Sequence, residues 1–221
     1  MVTKYLKFFN TYNDYNTYIT GQDVKLPNVC YCEDIKEVHY NPAERRLVAT
    51  FNVTNTSNAI AIMGSSATSS FSEIEIDGVL QPNVVNSYTF ATAGEHTIKY
   101  TLAAPTSIGR SAFQSCSGLT SITIPNGVTR IETNAFLRCG QLTSVTIGTG
   151  ITDIQGQAFH ECISLSSVTI KAISPPTLGV YVFSNNASGR KIFVPIDSVN
   201  SYKRSFSGYE NDIKPIISNN D

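Results

Sequence analysis

Three cysteines, Cys116, Cys139 and Cys162, stand 23 residues apart. Thiols at a fixed interval could form a metal or redox ladder. Metal sites, however, draw ligands that converge from different directions, usually as C-x-x-C pairs or with histidines close by. One thiol per interval, all pointing the same way and with no His at a fitting spacing, reads instead as a column of small, weakly polar buried residues. The histidines, His39, His96 and His160, fall in different parts of the chain with no Asp or Ser arrangement beside them. No G-x-S-x-G, H-E-x-x-H, P-loop or G-x-G-x-x-G motif occurs. The carboxylate pairs Glu33/Asp34 and Glu73/Glu75 do not read as a glycosidase couple, which needs two groups facing across a cleft. Glu73 and Glu75 read as the solvated outer face of a hairpin. Asn52-Val53-Thr54 and Asn186-Ala187-Ser188 match the glycosylation pattern and are given no role. The expectation is a non-enzymatic protein with no catalytic, cofactor-binding or metal site.

The remaining candidate chemistry is hydrogen bonding. Ser121 and Thr123, Ser144 and Thr146, and Ser167 and Thr169 recur at the same interval of 23. On stacked strands they would form two columns of outward hydroxyls, able to meet a protein backbone or a glycan. Ser and Thr can also simply solvate a strand face, which Thr suits by its shape. No aromatic is expected among these positions, which disfavours sugar stacking and favours a protein partner.

The elements that must carry these columns follow from the repeat. Residues 112–134, 135–157 and 158–170 are copies of one unit, with Ala112, Ala135 and Ala158 in phase, and with Phe113, Phe136 and Phe159, Leu119, Leu142 and Leu165, and Ile124, Ile147 and Ile170 likewise. Repeats of about 20–29 residues with this Leu/Ile spacing mark a leucine-rich-repeat solenoid. Ser121–Ile122–Thr123–Ile124 alternates with the strand period, so one face enters the core. Pro125, Asn126 and Gly127 mark a turn. Val128 and Ile131 return to the core on the opposite wall, and Asn134–Ala135–Phe136 starts a short helical or irregular segment. One unit cannot bury its own apolar face, so the units must stack.

The pattern A-F-x-x-C-x-x-L-x-S-[IV]-x-I over residues 105–195 resembles the BspA-type leucine-rich repeats of Bacteroidales and other anaerobes. The resemblance implies a cell-surface or secreted binding protein, with adhesion to host extracellular matrix among the roles. Lys191–Pro195 followed by Asp197–Lys203 is similar to the strand and helix that close such arrays, with Asp197 as the expected helix N-cap. Ser174-Pro175-Pro176-Thr177 departs from the pattern and is expected to break the ladder in a bulged loop.

Upstream, residues 41–102 read as an antiparallel β domain. Leu47, Ala49, Phe51 and Val53 alternate, Asp77-Gly78 signals a hairpin, and strands follow at Tyr88–Phe90 and His96–Leu102. The segment from Tyr88 to Leu102 is similar to the closing strands of immunoglobulin-like modules. With no linker before the repeats, Ile98–Leu102 is expected to be the first rung of the solenoid, so that both parts move as one body. Residues 1–40 form an aromatic-rich leader containing Tyr5, Phe8, Phe9, Tyr12, Tyr15 and Tyr18, which reads either as packing against the next domain or as a docking segment. Two short strands surround an acidic turn, and Cys30 and Cys32 share one strand side as thiols.

Composition narrows the function classes. The 221 residues carry a net charge of −1 with only 15% charged residues. No Lys/Arg cluster suited to nucleic acid is expected. No apolar run reaches the roughly 18 residues needed for a membrane span, and no signal-peptide core is visible. The resulting expectation is a mainly β fold in four parts: a leader at 1–40, the β domain at 41–102, leucine-rich repeats at 103–190 and a C-terminal strand-helix cap at 191–221. It would act outside the cell or at its surface, recognising protein, such as host matrix, or glycan, through Ser121, Thr123, Ser144, Thr146, Ser167 and Thr169. A structural assembly subunit, of a phage or surface appendage, held through residues 1–40 is the alternative. Oligomeric state is left open.

Overall fold

The computed structural model describes the backbone of residues 29–32 and 37–40, and residues 45–217 apart from 66 and 105. The chain divides into two compact units, Met1–Asn41 and Pro42–Asp221. In the first, β1 (Val29–Cys32) pairs antiparallel with β2 (Glu37–Tyr40), the two short strands expected there. The aromatic residues between 5 and 18, the acidic pair Glu33/Asp34, and the side chains of Cys30, Cys32 and His39 lie outside the described residues.

The second unit begins with β3 (Arg46–Val53), β4 (Ile60–Ala61), β5 (Phe71–Ile76), β6 (Val79–Leu80), β7 (Ser87–Tyr88) and β8 (Gly94–Leu102). Four solenoid turns follow, each a two-residue strand and then a longer one. They are β9 (Ser107–Ile108) with β10 (Leu119–Ile124), β11 (Arg130–Ile131) with β12 (Ser144–Ile147), β13 (Asp153–Ile154) with β14 (Ser167–Ile170), and β15 (Thr177–Leu178) with β16 (Lys191–Val194). Helix α1 (Val199–Ser205) and β17 (Ile213–Pro215) close the array. The long strands stack parallel and in register, and the short ones form a parallel sheet of their own.

A third ladder joins the turns. In each, two residues adopt left-handed backbone without being glycine: Ser111 and Ser115, Asn134 and Arg138, Gln157 and Glu161, Tyr181 and Asn185. Such conformations cost about 1–2 kcal/mol per residue. Here the twist aims N–H groups at the next turn: Asn134 donates to the Gly156 carbonyl and Arg138 to the His160 carbonyl, and Phe136 between them donates to Ala158. The segment expected to be helical or irregular is therefore a hydrogen-bonded wall.

Inside the walls the repeated phenylalanines form one stack. Phe113 and Phe136 lie 5.1 Å apart with rings 3° from parallel, and Phe136 and Phe159 lie 4.9 Å apart at 4°. Phe183 extends the stack at 5.6 Å. Tyrosines close it edge-on, Tyr100 against Phe113 and Tyr209 against Phe183.

The upstream strands do not show the immunoglobulin-like sandwich expected for 41–102. They extend the solenoid sheet, whose order is β17-β16-β14-β12-β10-β3-β8-β5-β6, and β4 pairs with β7 alone. The first rung also differs from expectation. It is β3, not Ile98–Leu102, that joins β10, pairing antiparallel with Ala49 opposite Ile122 and Thr50 opposite Ser121. Strand β8 lies one place further out, between β3 and β5. Leu47, Ala49 and Phe51 are fully buried, so β3 continues the core face of β10 across the change of direction.

Two smaller expectations are corrected. The prolines at 175–176 do not break the ladder: β15 pairs with β13 directly after them, and the loop only lengthens the turn to 24 residues, with Asp153 opposite Thr177. Asp197 is not the helix cap. It lies in the 3-10 turn Ile196–Ser198, and Ser198 precedes α1 without a capping side-chain bond.

Replacing Phe136 by Ala removes a ring from the middle of the stack and should lower unfolding free energy by about 3–5 kcal/mol. Phe136→Leu, which restores much of the volume, should lose clearly less in urea denaturation.

Candidate functional site

The outer face of the long sheet carries the predicted hydroxyls. Ser121, Ser144 and Ser167 lie opposite one another, as do Thr123, Thr146 and Thr169. The intervening Ile122, Val145 and Val168 are buried, so the alternation of the strands sends all six hydroxyls outward. Thr123 is exposed and the other five are half-buried. Neighbouring hydroxyls are used differently. Thr143 donates to the Thr120 carbonyl and Thr120 to the Thr50 carbonyl, both at 3.0 Å, tying turn to turn. Among the described residues the six outward hydroxyls have no such partner. The columns also run further than the repeats: Thr50 and Val48 extend them on β3, and Lys191 and Phe193 on β16. Phe193, opposite Thr169, is an aromatic on this face beyond the six positions, which themselves carry none, as expected. It was missed because β16 follows the 24-residue turn, out of phase with the earlier copies.

The cysteines are structural. Cys116, Cys139 and Cys162 are free and fully buried. The Cys139 thiol donates to the Phe113 carbonyl at 2.9 Å and the Cys162 thiol to the Phe136 carbonyl at 3.1 Å. In the fourth turn Asn186 takes this role, its side-chain amide donating to the Phe159 carbonyl at 2.8 Å. Burial pushes the Cys116 thiol up to about 12 and Cys139 well above the usual thiol range.

The profile described as the BspA type leucine rich repeat region matches residues 106–220 in six copies, just over half of the 221 residues. The chain belongs to the BspA-type leucine-rich-repeat family. No curated protein matches it. The BspA-type region starts at β9 and runs through α1 and β17, so the closing elements belong to it as well. Among the described residues, no helix is long and apolar enough to cross a membrane, and no group of His, Cys, Asp and Glu could hold a metal ion.

Outside the BspA-type region, among the described residues, His96 and Glu75 are engaged in pairs. His96 is not isolated. Its Nδ1 lies 2.7 Å from Asp77 Oδ2 and its Nε2 lies 2.9 Å from the Thr92 carbonyl. Asp77 also accepts the Thr97 N–H at 2.9 Å, and it occupies the left-handed corner of the β5–β6 hairpin. Sequence alone marked Asp77 only as a turn residue. Both ring nitrogens of His96 face acceptors, an arrangement only the imidazolium satisfies fully. Burial opposes the charge, but the hydrogen bonds to Asp77 and Thr92 outweigh it and raise the His96 pKa. For Asp77 burial is likewise outweighed, by His96 and the Thr97 N–H, and its pKa is lowered. Glu75 is not simply solvated: Lys99 donates to it at 2.6 Å and Arg46 lies 3.7 Å away. Within the repeats, His160 Nε2 lies 3.3 Å from Glu161, which Arg138 holds at 2.7 Å.

Two measurements check these assignments. With Cys30 and Cys32 replaced by Ser, the native protein should show no thiol reacting with Ellman's reagent at pH 8, and three in guanidinium. His96 should titrate above the ordinary value of about 6.5. A raised folded pKa contributes stability that is complete below the unfolded value and lost as pH rises through the folded one. The lowered Asp77 pKa contributes stability that is lost as pH falls through it. NMR of the His96 ring should therefore show a midpoint that drops in Asp77→Asn.

Proposed function

We propose that this chain is a non-enzymatic surface or secreted binding protein that recognises a protein partner through the outer face of its repeat sheet. The observation that carries this reading is the pair of in-register hydroxyl columns, which have no hydrogen-bond partner among the described residues. Hydroxyls at this spacing can donate to or accept from the backbone of an extended segment. Solenoids of this kind typically serve as binding scaffolds. BspA-type membership supports surface placement, and host matrix proteins are the first partners to test. Phe193 beside Thr169 gives a second reading some support, since an aromatic next to hydroxyls also suits a glycan.

Biolayer interferometry against fibronectin, fibrinogen, laminin and a host-cell extract should compare wild type with Thr123→Glu/Thr146→Glu/Thr169→Glu. The expected outcome is binding by the wild type that falls at least tenfold in the variant, with its circular dichroism spectrum retained. Binding kept by a folded variant would move recognition away from the repeat sheet.

A further inference from the structure

The hydroxyl columns end at a corner of different chemistry. Strand β16 places Lys191 opposite Ser167 and Phe193 opposite Thr169, and β17 places Lys214 opposite Phe193. Ile192 and Val194 are fully buried, so Lys191 and Phe193 share the outer face. Lys171, the first residue after β14, donates its N–H to the Ile147 carbonyl and so carries the outward alternation one step beyond Thr169. Neighbouring strands lie about 4.8 Å apart, and alternate residues along one strand about 6.6 Å apart. These spacings put three lysines around one phenylalanine, and all three lysines are exposed.

Five cations elsewhere in the unit have acidic partners, Lys99 and Arg46 with Glu75, Arg130 with Asp153, Arg138 with Glu161, and Arg190 with Asp212, whereas Arg45, Arg110, Lys203 and Arg204 have none among the described residues. Among the described residues Lys171, Lys191 and Lys214 have none. The register sets Asp212 against Lys191, yet the Asp212 carboxylate is held by Arg190 at 2.5 Å. The opposite end of the same face carries Glu73, Glu75 and Glu95 beside Lys99 and Arg46, and its middle is uncharged. The face is therefore polarised, with its uncompensated positive charge gathered around an apolar ring.

We infer that this corner docks an acidic polypeptide segment of the protein partner, with carboxylates on Lys171, Lys191 and Lys214, an apolar side chain on Phe193, and the backbone running onto the hydroxyl columns. The inference rests on the protein-recognition reading and adds the chemistry of the partner. Unpaired charge of one sign steers a partner of the other and makes association sensitive to salt.

The test uses the full chain against immobilised poly-L-glutamate, with heparin and polygalacturonate as parallel surfaces. The variants are Lys171→Gln/Lys191→Gln/Lys214→Gln, Phe193→Ser, and a helix control, Lys203→Gln/Arg204→Gln. The expected result is binding of poly-L-glutamate that weakens at least tenfold between 50 and 300 mM salt, weakens at least tenfold in the lysine variant, falls in Phe193→Ser and is unchanged in the control. Absence of binding, equal loss in the control, or binding only to the polysaccharides would overturn it. The two readings separate on the matrix-protein panel. Binding there that is abolished by the threonine-to-glutamate variant but untouched by the lysine variant would sink the acidic-segment inference and leave protein recognition standing.

Discussion

Adjacent turns of this solenoid must lie at the distance their backbone hydrogen bonds impose, about 4.8 Å. Almost everything else follows from that separation. A side chain repeated at one phase meets its own copy at nearly that spacing, so only groups that tolerate self-stacking can occupy the interior. Phenylalanine does so as nearly parallel rings 4.9–5.6 Å apart. Cysteine does so because its thiol is small and donates sideways to the Phe carbonyl of the preceding turn instead of competing with its copy. The left-handed residues of the first three turns pay for their strain with the N–H bonds they direct to the next turn.

A stack of this kind has two raw ends, and each is finished differently. At the start, Tyr100 meets Phe113 edge-on while its hydroxyl donates to the Ile62 carbonyl, and Gly64 supplies the N–H that an earlier turn would give to Ala112. At the far end Tyr209 meets Phe183 edge-on, and its hydroxyl accepts the Phe183 N–H. Arg190 seals this end from within. Its guanidinium lies 5.3 Å from the Phe183 ring centre and 5.2 Å from that of Tyr209, and it donates to the Phe183 carbonyl, Asn186 and Asp212. A cation buried this deeply needs such partners, and of its buried nitrogens only Nε lacks one among the described residues. That engagement keeps Asp212 from neutralising the lysines on the sheet face.

The periodic part of this arrangement was legible in the chain. Leu119, Ile122 and Ile124 announced their faces by alternation, and the phase of Phe113, Phe136 and Phe159 announced a shared interior. What periodicity could not show was partnership across long separations. Val48 and Thr50 alternate as any half-buried strand does, and nothing local says that they pair with residues near 121–123 and not with another strand of their own region. The left-handed corners escaped notice because Ser, Asn, Arg, Gln, Glu and Tyr carry no glycine signal. His96 and Asp77, 19 residues apart, meet only because β5, β6 and β8 lie side by side. The hydroxyl columns were foreseen, whereas the Phe193 corner lay hidden behind a one-residue change of phase.

Bonds between the central turns join residues separated by 23 positions, as Thr143 to Thr120 and Thr152 to Thr129. Each central turn offers the next one the same donors and acceptors that it received. A gene that lost or duplicated the segment coding for residues 135–157 would thus create no new kind of junction. The length of the array is open to change by unequal recombination, one strand of recognition surface at a time. The two closures are each needed once, whatever the number of turns between them.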